Sequence, residues 1–395
     1  MKNVCKQAVY IDSPALWALS QINPFYCSGI FSNTDTKLFM RWNALTEAQR
    51  LFTKLPKNLD IHKVSRKKIS NLPVEKGGVQ FYPFNSKSNM NAVANRDVFH
   101  VLTLHGESNK RASFRPAARI YDYVTIAGPL ARDRYLQAGI FSQNDVDSGR
   151  LIMMGDSFTQ TIPSFRSASE QSQRPTVMYC PTWEGYGSKA DNYSSISGGF
   201  GFEALEKSAR ILNIEHICVK PHPYLGLLQP QILMKFAAGL RRLSSKGFRV
   251  EIISNESNIL LRAACKLLAA STPNLNISLG KPIDIALAIC DISGMESVFL
   301  KQGIHHITIG DLKNIPSQIH NIYGRKSITK QDDCETKLQQ YLTSASEIDS
   351  LHYAEVFGWH NTELKTMSCS DRNKWLLRYI QSNPFWSKDT AGYTE

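Results

Sequence analysis

The sequence of 395 residues has no apolar run close to the ~18 residues that a membrane-spanning helix needs. Its first twenty residues also lack the continuous apolar core of a secretory signal, because Asp12, Ser13 and Pro14 interrupt it. These two absences speak against a membrane span and against export. We therefore expect a cytoplasmic protein.

The eight cysteines are widely scattered, and no C-x-x-C pair occurs among them. Cys180, Cys218 and Cys290 lie inside apolar, strand-like runs, where a thiol behaves as a small buried hydrophobic group. The pattern predicts reduced structural thiols, with neither a zinc site nor a redox motif. We expect no metal and no cofactor to be required.

Acidic residues are scarce near the start: residues 1–100 hold 14 Lys and Arg against 6 Asp and Glu, within a net charge of +12. The densest part is KLPKNLDIHKVSRKK, residues 54–68. This segment is either a solvated surface or a patch for anionic lipid headgroups or a polyanionic substrate. Because no nucleic-acid-binding module accompanies it, we do not expect a nucleic-acid partner.

The length predicts two domains, and the hydrophobic content of 42% is typical of a soluble globular chain. From residue 98 to residue 310, apolar runs alternate with helix-like stretches, which predicts an α/β fold with parallel sheets. A polar segment, 156–175, is the predicted linker. We therefore place domains at 1–165 and 166–350, followed by a helical segment at 351–395, and expect a ligand in the cleft between the domains. The predicted strands are 98–104, 123–128, 176–180, 216–220, 248–254, 285–291 and 305–310, and the main predicted helices are 129–139, 202–213, 231–247 and 373–386.

Four polar clusters follow predicted strands, at the carboxyl ends where open α/β sheets bind ligands. The first is LHGESNK, residues 104–110. Its Gly106 permits a tight turn that leaves His105 exposed, and an exposed imidazole is the usual general base for a hydroxyl near neutral pH. A histidine that is only satisfied within a turn is the structural alternative.

The second and third clusters are YCPTWEGYG, residues 179–187, and VKPHP, residues 219–223. In the second, Thr182, Trp183 and Glu184 follow the strand directly, although a core tryptophan at a loop entrance would look the same. In the third, two prolines fix the backbone around His222, which together with Lys220 could face a diphosphate. An ordinary proline-rich turn is the alternative there.

The fourth cluster is CDISGMESVFLKQG, residues 290–303, which predicts a strand, a Ser-Gly turn and a short helix. Gly294 lets the backbone approach a phosphate, and the helix N-terminus supplies free N–H groups. Glu296 is suited to accept hydrogen bonds from ribose hydroxyls. A simple helix cap is the alternative reading.

The four clusters, taken in order, resemble the CDP-glycerol glycerophosphotransferase-like family of teichoic acid and capsule synthesis. LHGESNK is similar to the family's Trp-His-Gly-Thr/Glu-x-x-Lys segment, and YVTIAGPLARDRYLQAGI to the strand and helix that follow it. MYCPTWEGYGSKADNYSSI is similar to its Tyr-Ala-Pro-Thr-Trp segment with a downstream Ser-Ser. VKPHP and CDISGMESVFL resemble its basic-x-His-Pro and Asp-x-Ser-Ser segments. The resemblance spans roughly residues 98–303.

The resemblance implies a GT-B fold, with two Rossmann-like domains facing a central cleft and C-terminal helices packing back. It implies transfer of glycerol-phosphate from CDP-glycerol to a hydroxyl of a lipid-linked cell-surface glycan or polymer. Such an enzyme would work on the inner face of the cytoplasmic membrane, and from their charge we expect residues 54–68 to hold it there. The implied residues are His105 and His222 in catalysis, Gly106, Ser108 and Lys110 for the acceptor, and Thr182, Trp183, Glu184, Lys220, His222, Ser293, Gly294, Glu296 and Ser297 for the donor.

Two departures from the family pattern keep other functions open. Leu104 stands where the family has tryptophan, and Gly294 stands where it has a second serine. The second change moves the segment, Ser-Gly-Met-Glu-Ser, toward the Ser-Gly-x-x-Glu pattern of nucleotide-sugar 2-epimerases and other GT-B glycosyltransferases. The alternatives are a glycosyltransferase that uses a CMP- or UDP-sugar, and a non-catalytic protein that binds an anionic polymer or a membrane surface.

Overall fold

A computed structural model describes residues 4–13, 16–51, 55–110, 113–185, 192–254, 259–278, 280–310 and 319–383. The chain forms two compact units. Unit 1 comprises Met1–Glu107, Ala112–Gln160 and Val356–Glu395, and unit 2 comprises Ser108–Arg111 and Thr161–Glu355. Within the described ranges, no helix combines the length and hydropathy needed to cross a membrane.

Each unit is built on one parallel β-sheet. The described strands are β1 (Cys5–Ile11), β2 (Thr36–Arg41), β3 (Ile61–Val64), β4 (Val74–Tyr82), β5 (Phe99–Leu102), β6 (Tyr123–Ile126), β7 (Leu151–Met153), β8 (Phe165–Ser167), β9 (Thr176–Cys180), β10 (His216–Val219), β11 (Arg249–Ile252), β12 (Leu275–Ile277), β13 (Ile283–Asp291), β14 (His306–Ile309) and β15 (Ser327–Ile328).

Helices connect the strands and cover both faces of each sheet. They are α1 (Ala18–Cys27), α2 (Ala44–Arg50), α3 (Met90–Val93), α4 (Pro129–Gln137), α5 (Gln143–Asp147), α6 (Phe200–Ile211), α7 (Gln231–Ser245), α8 (Ile259–Ser271), α9 (Met295–Lys301), α10 (His320–Lys326), α11 (Cys334–Leu342), α12 (Ala345–Val356), α13 (Glu363–Thr366) and α14 (Cys369–Ser382).

The strand order shows where each sheet can bind a ligand. In unit 1 the order is β3-β2-β1-β4-β5-β6-β7, and in unit 2 it is β12-β11-β10-β9-β13-β14-β15, with β8 beside β13. In both sheets the order reverses once, at β1 and β4 in unit 1 and at β9 and β13 in unit 2. Ligands of doubly wound sheets bind beyond the carboxyl ends of the strands at this switch point.

The predicted α/β class is confirmed, and so are the seven predicted strands, whose ends shift by up to two residues, with β13 beginning earlier than predicted and most of the others shorter. Strands such as β9 and β13 are buried on both faces, which is why they are continuous apolar runs in the sequence. The predicted linker, 156–175, contains β8, which pairs with β13. The chain passes from one unit to the other at residues 107–108, 111–112, 160–161 and 355–356.

The C-terminal segment returns to unit 1 and closes its sheet edge. The amide of Gly358 donates to the carbonyl of Ala127 at 2.9 Å, and its carbonyl accepts from the amide of Gly155 at 2.8 Å. A Cβ atom on Gly128 would overlap the backbone nitrogen of Gly358, so only glycine permits this approach. Leu376 of α14 is fully buried in the core of unit 1.

A buried lysine joins three elements of unit 2. Lys326, at the end of α10, is 0% exposed, and its Nζ donates to Asp349 Oδ1 at 2.7 Å and to His306 Nε2 at 2.8 Å. A third bond, of 3.2 Å, reaches Nδ1 of His352. Burial lowers the pKa of His306 to about 3 and lowers that of His352 as well, so both imidazoles are neutral acceptors near neutral pH. The cluster links α10, β14 and α12.

Candidate active site

The first predicted cluster follows β5, next to the switch point of unit 1. Leu104 has φ of +56° and Gly106 has φ of +138°, so both neighbours of His105 lie in the left-handed region. Glycine adopts such angles freely, but a leucine there is strained, and backbone strain of this kind concentrates at functional sites. The turn therefore fixes the backbone of His105 at an energetic cost.

The imidazole of His105 is held in one tautomer. Its Nδ1 lies 2.8 Å from the carbonyl oxygen of Pro83, which can only accept, so Nδ1 carries the proton and Nε2 is the acceptor. The ring also packs on Phe84, with centroids 4.5 Å apart. Burial lowers the pKa of His105 from its usual value, and the bond to Pro83 offsets this only in part. A neutral imidazole with a defined acceptor nitrogen is suited to act as a general base.

The LHGESNK segment divides between the two units. His105, Gly106 and Glu107 belong to unit 1, where Glu107 forms a buried ion pair with Arg134 of α4. Ser108 and Lys110 belong to unit 2. The sequence interpretation assigned Gly106, Ser108 and Lys110 together to the acceptor, whereas the structure groups the last two with the predicted donor residues.

Lys110 is placed at the switch point of unit 2. Its Nζ donates a hydrogen bond to the hydroxyl of Thr182, directly beyond β9, and lies 5.8 Å from the ring centre of Tyr193. Burial lowers the pKa of Lys110 to about 8, while the carboxylates of Asp291 and Glu296 act in the opposite direction. The side chain is therefore largely charged at neutral pH and titrates in the mildly alkaline range.

Asp291, the last residue of β13, is a site residue that the sequence interpretation did not single out. Its carboxylate is 0% exposed, and Oδ2 accepts from the amides of Thr182 at 2.7 Å and Ser195 at 3.3 Å. Oδ1 has no hydrogen-bond partner among the described residues. Burial raises the pKa of Asp291 to about 6, although the bonds to Thr182 and Ser195 and the charge of Lys110 lower it. Asp291 joins the ends of β9 and β13.

Glu296 faces the protein interior, whereas the sequence interpretation assigned it to ribose. It is 4% exposed, and its carboxylate accepts from the amide of Ser293 at 3.2 Å, the hydroxyl of Thr308 at 3.1 Å and the hydroxyl of Tyr323. Asn109 donates to the same Tyr323 hydroxyl at 2.9 Å. Glu296 thus fixes the turn before α9 and, through Tyr323, the segment that carries Lys110.

The other residues of the fourth cluster form the turn itself. Gly294 precedes α9, and its carbonyl accepts from the Ser297 hydroxyl at 2.8 Å. The Ser293 hydroxyl accepts from the amide of Met295 at 3.3 Å, and both serines are buried. These contacts shape the turn at the end of β13.

An aromatic cluster follows β9 and β10. The rings of Trp183 and His222 are nearly parallel, at 13° and 5.8 Å between centroids, and Tyr224 lies 5.1 Å from Trp183. The amide of Tyr224 donates to Nδ1 of His222 at 3.1 Å, so a neutral His222 carries its proton on Nε2. The amide of His222 donates to the carbonyl of Pro181 at 3.2 Å. The imidazole that two prolines were expected to fix is therefore held by the backbone and by stacking.

Glu184 has a structural position. Its buried carboxylate accepts from the amides of Gly226 at 3.1 Å, Leu228 at 3.0 Å and Gln229 at 2.9 Å. These bonds anchor the loop after His222 and occupy both carboxylate oxygens, so the sequence interpretation of Glu184 as a donor contact does not fit its surroundings. Lys220 directly follows β10, and its amide donates to the carbonyl of Tyr179 at 2.9 Å.

A cavity of ≈ 430 Å³ lies beyond the carboxyl ends of β13, β14 and β15 in unit 2. Its size is typical of a site for a small molecule, and its walls mix aromatic, aliphatic and polar groups. The sequence interpretation did not predict it, because its walls come from four separate segments. The lining residues are Asn192, Tyr193, Ser194, Ser195, Phe200, Ile292, Ile309, Gly310, Ile328, Thr329, Lys330 and Gln331.

One Asp-x-Asp pattern, at Asp145 and Asp147, is present in the chain. Asp145 caps α5 through Ser142 and pairs with Arg150 at 3.1 Å, so it has a structural role. In the described part of the chain, no three His, Cys, Asp or Glu side chains are grouped as metal ligands.

The sequence matches no protein-family model and no curated protein. The structure is similar to a protein from Listeria monocytogenes assigned as a UDP-N-acetylglucosamine 2-epimerase, with a TM-score of 0.50, 10% identity and 96% of each chain covered. It is equally similar to Anabaena Alr3699/HepE in complex with UDP, with a TM-score of 0.50, 9% identity, and 95% and 100% of the two chains covered.

This chain has the GT-B fold. The predicted pair of Rossmann-like domains is confirmed, as is the return of the C-terminal helices. The wall teichoic acid polymerase TagF is a more distant GT-B structure, with a TM-score of 0.46, 10% identity, and 96% of this chain and 88% of that chain covered. At such identities, similarity establishes the fold alone.

Proposed function

We propose that this GT-B protein transfers glycerol-phosphate from CDP-glycerol to a hydroxyl of a lipid-linked cell-surface glycan or polymer. One observation carries the proposal: a neutral imidazole stands beside the switch point of unit 1, and a lysine and a histidine stand at that of unit 2. Phosphoryl transfer needs such positioning and charge neutralisation. The four sequence segments that resemble the glycerophosphotransferase family supply these residues.

His105 is the proposed general base. Its Nε2 takes the proton of the acceptor hydroxyl, whose oxygen attacks the phosphorus atom that carries glycerol. The bond from this phosphorus to the bridging oxygen breaks, and CMP leaves with both bonding electrons. Gly106 is proposed to leave room for the acceptor beside the imidazole.

Lys110 and His222 are the proposed contacts of the diphosphate. The ammonium of Lys110 neutralises the charge that develops on the leaving CMP, and the Nε2 proton of His222 is suited to a phosphate oxygen. Lys220 adds a second positive charge beyond β10. We move Lys110, with Ser108, from the acceptor to the donor side because both belong to unit 2.

The nucleoside is proposed to occupy the ≈ 430 Å³ cavity, whose walls include Ile292, directly before Ser293 in the chain, and Ser195, whose amide is bonded to Asp291. Thr182, Trp183, Ser293 and Gly294 remain proposed contacts of the donor. Glu184, Glu296 and Ser297 are proposed to shape the site from behind it. No metal or cofactor is part of this proposal.

A donor panel tests the reaction. The protein is incubated with CDP-glycerol, a CMP-sugar or a UDP-sugar and an acceptor extract, and the released nucleotide and the product mass are measured. We expect CMP release from CDP-glycerol and an added glycerol-phosphate. Release of UDP with an added hexose would replace this proposal with a glycosyltransferase, which the partial likeness of Ser293–Glu296 to the Ser-Gly-x-x-Glu pattern favours. Absence of turnover with every donor would favour the alternative of a non-catalytic binding protein.

The proposed place of work is the inner face of the cytoplasmic membrane. Of the basic segment, Lys54 lies outside the described residues, and Lys63 pairs with Glu47 at 3.1 Å. Lys57 and the turn Arg66–Lys68 are exposed. Each such cation contributes about 1 kcal/mol near an anionic bilayer.

Helix α2 supports this orientation, because it buries a polar residue and exposes apolar ones. Thr46 is 0% exposed, whereas Leu45 is 58% exposed and Leu51, the residue after the helix, is 79% exposed. The helix begins just beyond β2, and the turn Arg66–Lys68 follows the neighbouring strand β3. The ends of these two strands lie side by side, because the Trp42 amide donates to the carbonyl of Val64 at 2.9 Å. Two exposed leucines near exposed cations are suited to an anionic lipid surface.

Vesicle binding tests this orientation. We expect wild-type protein to bind phosphatidylglycerol vesicles more strongly than phosphatidylcholine ones, and binding to weaken with salt. Two variant sets should each reduce it: Leu45→Gln with Leu51→Gln, and Lys57→Gln with Arg66→Gln, Lys67→Gln and Lys68→Gln. The matched control is Leu260→Gln with Leu267→Gln on α8, where the exposures are 72% and 73%. Equal loss in the control would contradict the orientation.

A further inference from the structure

A buried carboxylate stands at the switch point of unit 1. Asp12 directly follows β1 and is 4% exposed. Its Oδ2 accepts from the hydroxyl of Ser86 at 2.9 Å and from that of Ser88, and lies 3.5 Å from Arg41. Its Oδ1 accepts from the Tyr10 hydroxyl at 2.9 Å. Both oxygens of Asp12 are therefore occupied by protein groups.

The two serines belong to the loop that holds His105. This loop, residues 83–88, follows β4, the other strand of the switch point. Its first residue, Pro83, supplies the carbonyl that accepts from Nδ1 of His105, and its second, Phe84, packs on the imidazole. Asp12 and the His105 contacts thus lie at opposite ends of one short loop.

We propose that Asp12 is a positioning residue for His105, because it fixes through Ser86 and Ser88 the loop that sets the tautomer and orientation of the imidazole. This inference rests on the proposed function, in which His105 is the general base. Without the two serine bonds, Pro83 and Phe84 would sample several positions. The imidazole would then exchange between tautomers, and Nε2 would carry a proton in part of the molecules.

Asp12 acts through the loop and not on the substrate. Its oxygens already accept from Tyr10, Ser86 and Ser88, and a bound hydroxyl would have to displace one of these donors. The charged groups on the surrounding elements are paired: Arg41 lies beside Asp12, and Arg134 pairs with Glu107. The Lys87 side chain in the loop is exposed.

The test combines kinetics with a direct measurement of the tautomer. Asp12→Asn, and separately Ser86→Ala with Ser88→Ala, should lower kcat about 10- to 100-fold with little change in the donor KM. In protein labelled with ¹⁵N-histidine, the His105 signals are assigned by their loss in His105→Ala. In the Asp12 and serine variants, these signals should change from those of a single tautomer with the proton on Nδ1 to those of a mixture of both tautomers. Combining both sets should add little, because they remove the same contacts.

Asp145→Asn is the control, since this buried carboxylate of unit 1 caps α5. It should reduce thermal stability. The tautomer of His105 and the fall of kcat/KM at low pH should both stay as in the wild type. If the Asp12 variants fold and keep the wild-type tautomer, the positioning role is wrong, whatever their activity. If they lose the tautomer while His105→Ala stays fully active, the proposed base is wrong and the positioning contact stands.

Discussion

The ammonium of Lys110 and the hydroxyl of Thr182, 72 residues apart in the chain, are joined by a hydrogen bond. Lys110 is five residues after His105, yet the two side chains belong to different units. A single seven-residue segment therefore supplies the proposed base to one Rossmann-like unit and a cation to the other.

Replacing His105 by alanine should reduce turnover by about 10²-fold or more, because the acceptor hydroxyl loses its base. Donor binding and the melting temperature should change little. In the wild type, log(kcat/KM) should fall as pH is lowered, with an apparent pKa below the usual histidine value of about 6.5, because burial favours the neutral ring. A folded His105→Ala protein with normal turnover would remove the residue from the mechanism.

Replacing Lys110 by methionine should weaken the binding of CDP, which calorimetry can measure. In the wild type, CDP affinity should decrease as pH rises above about 8, because Lys110 then loses its charge. Lys110→Arg should retain the charge and abolish this decrease. CDP affinity that is equal in wild type and Lys110→Met from pH 7 to 9 would contradict the donor-side assignment.

Glu184→Gln should loosen the loop that follows His222. One amide oxygen then has to replace two carboxylate oxygens for three backbone donors, and an unsatisfied buried N–H costs about 1–3 kcal/mol. Hydrogen exchange should accelerate at Gly226, Leu228 and Gln229. Glu203→Gln, on the exposed side of α6, is the control and should leave these amides unchanged.

Gly128→Ala should displace the returning C-terminal segment. The new methyl group would overlap the backbone of Gly358, and φ at Gly128 is an extended 176°, so steric overlap alone is tested. We expect a large fall in melting temperature and faster proteolysis after residue 355. Gly324→Ala, with nothing within 4 Å of the added methyl, should be tolerated. Equal stability of the two variants would show that the close approach is absent.

Lys326→Met should destabilise the protein by about 3–5 kcal/mol, because Asp349 is left as a buried charge without its cation. In the wild type, stability should fall as pH drops from about 6.5 toward 3. The reason is that both histidines bind protons in the unfolded chain, whereas His306 and His352 stay neutral in the folded protein. Denaturant unfolding at several pH values measures both effects. His306→Phe should flatten the pH dependence, and an unchanged slope would contradict it.

The sequence predicts seven of the strands from residue 98 onward, and strands such as β9 and β13 are found because they are buried and continuously apolar. It misses the four strands before residue 98. Lys6, Lys37, Lys63 and Lys76 lie within β1 to β4, and a charged residue in a short run hides its strand character. The sequence also does not predict β8, because Phe165 is its one buried residue and the strand is therefore not an apolar run.

The positions of the polar clusters are predictable, because strand ends can be read from the sequence and functional side chains follow them. The directions of the side chains are not. Glu184 and Glu296 each follow a strand within the right cluster, yet both carboxylates bind protein donors, some of them as far as 45 residues away in the chain. Asp291 depends on the amides of Thr182 and Ser195, which only the paired strands bring close.

The return of residues 356–383 to unit 1 also fixes the order in which the protein can be completed during synthesis. The ribosome makes all of unit 2 before it makes α13 and α14, whose Leu364, Leu376 and Ile380 fill the core of unit 1. The unit that starts first is thus finished last. While unit 2 folds, the apolar surface of unit 1 that awaits these helices stays uncovered, and such nascent surfaces are where aggregation begins.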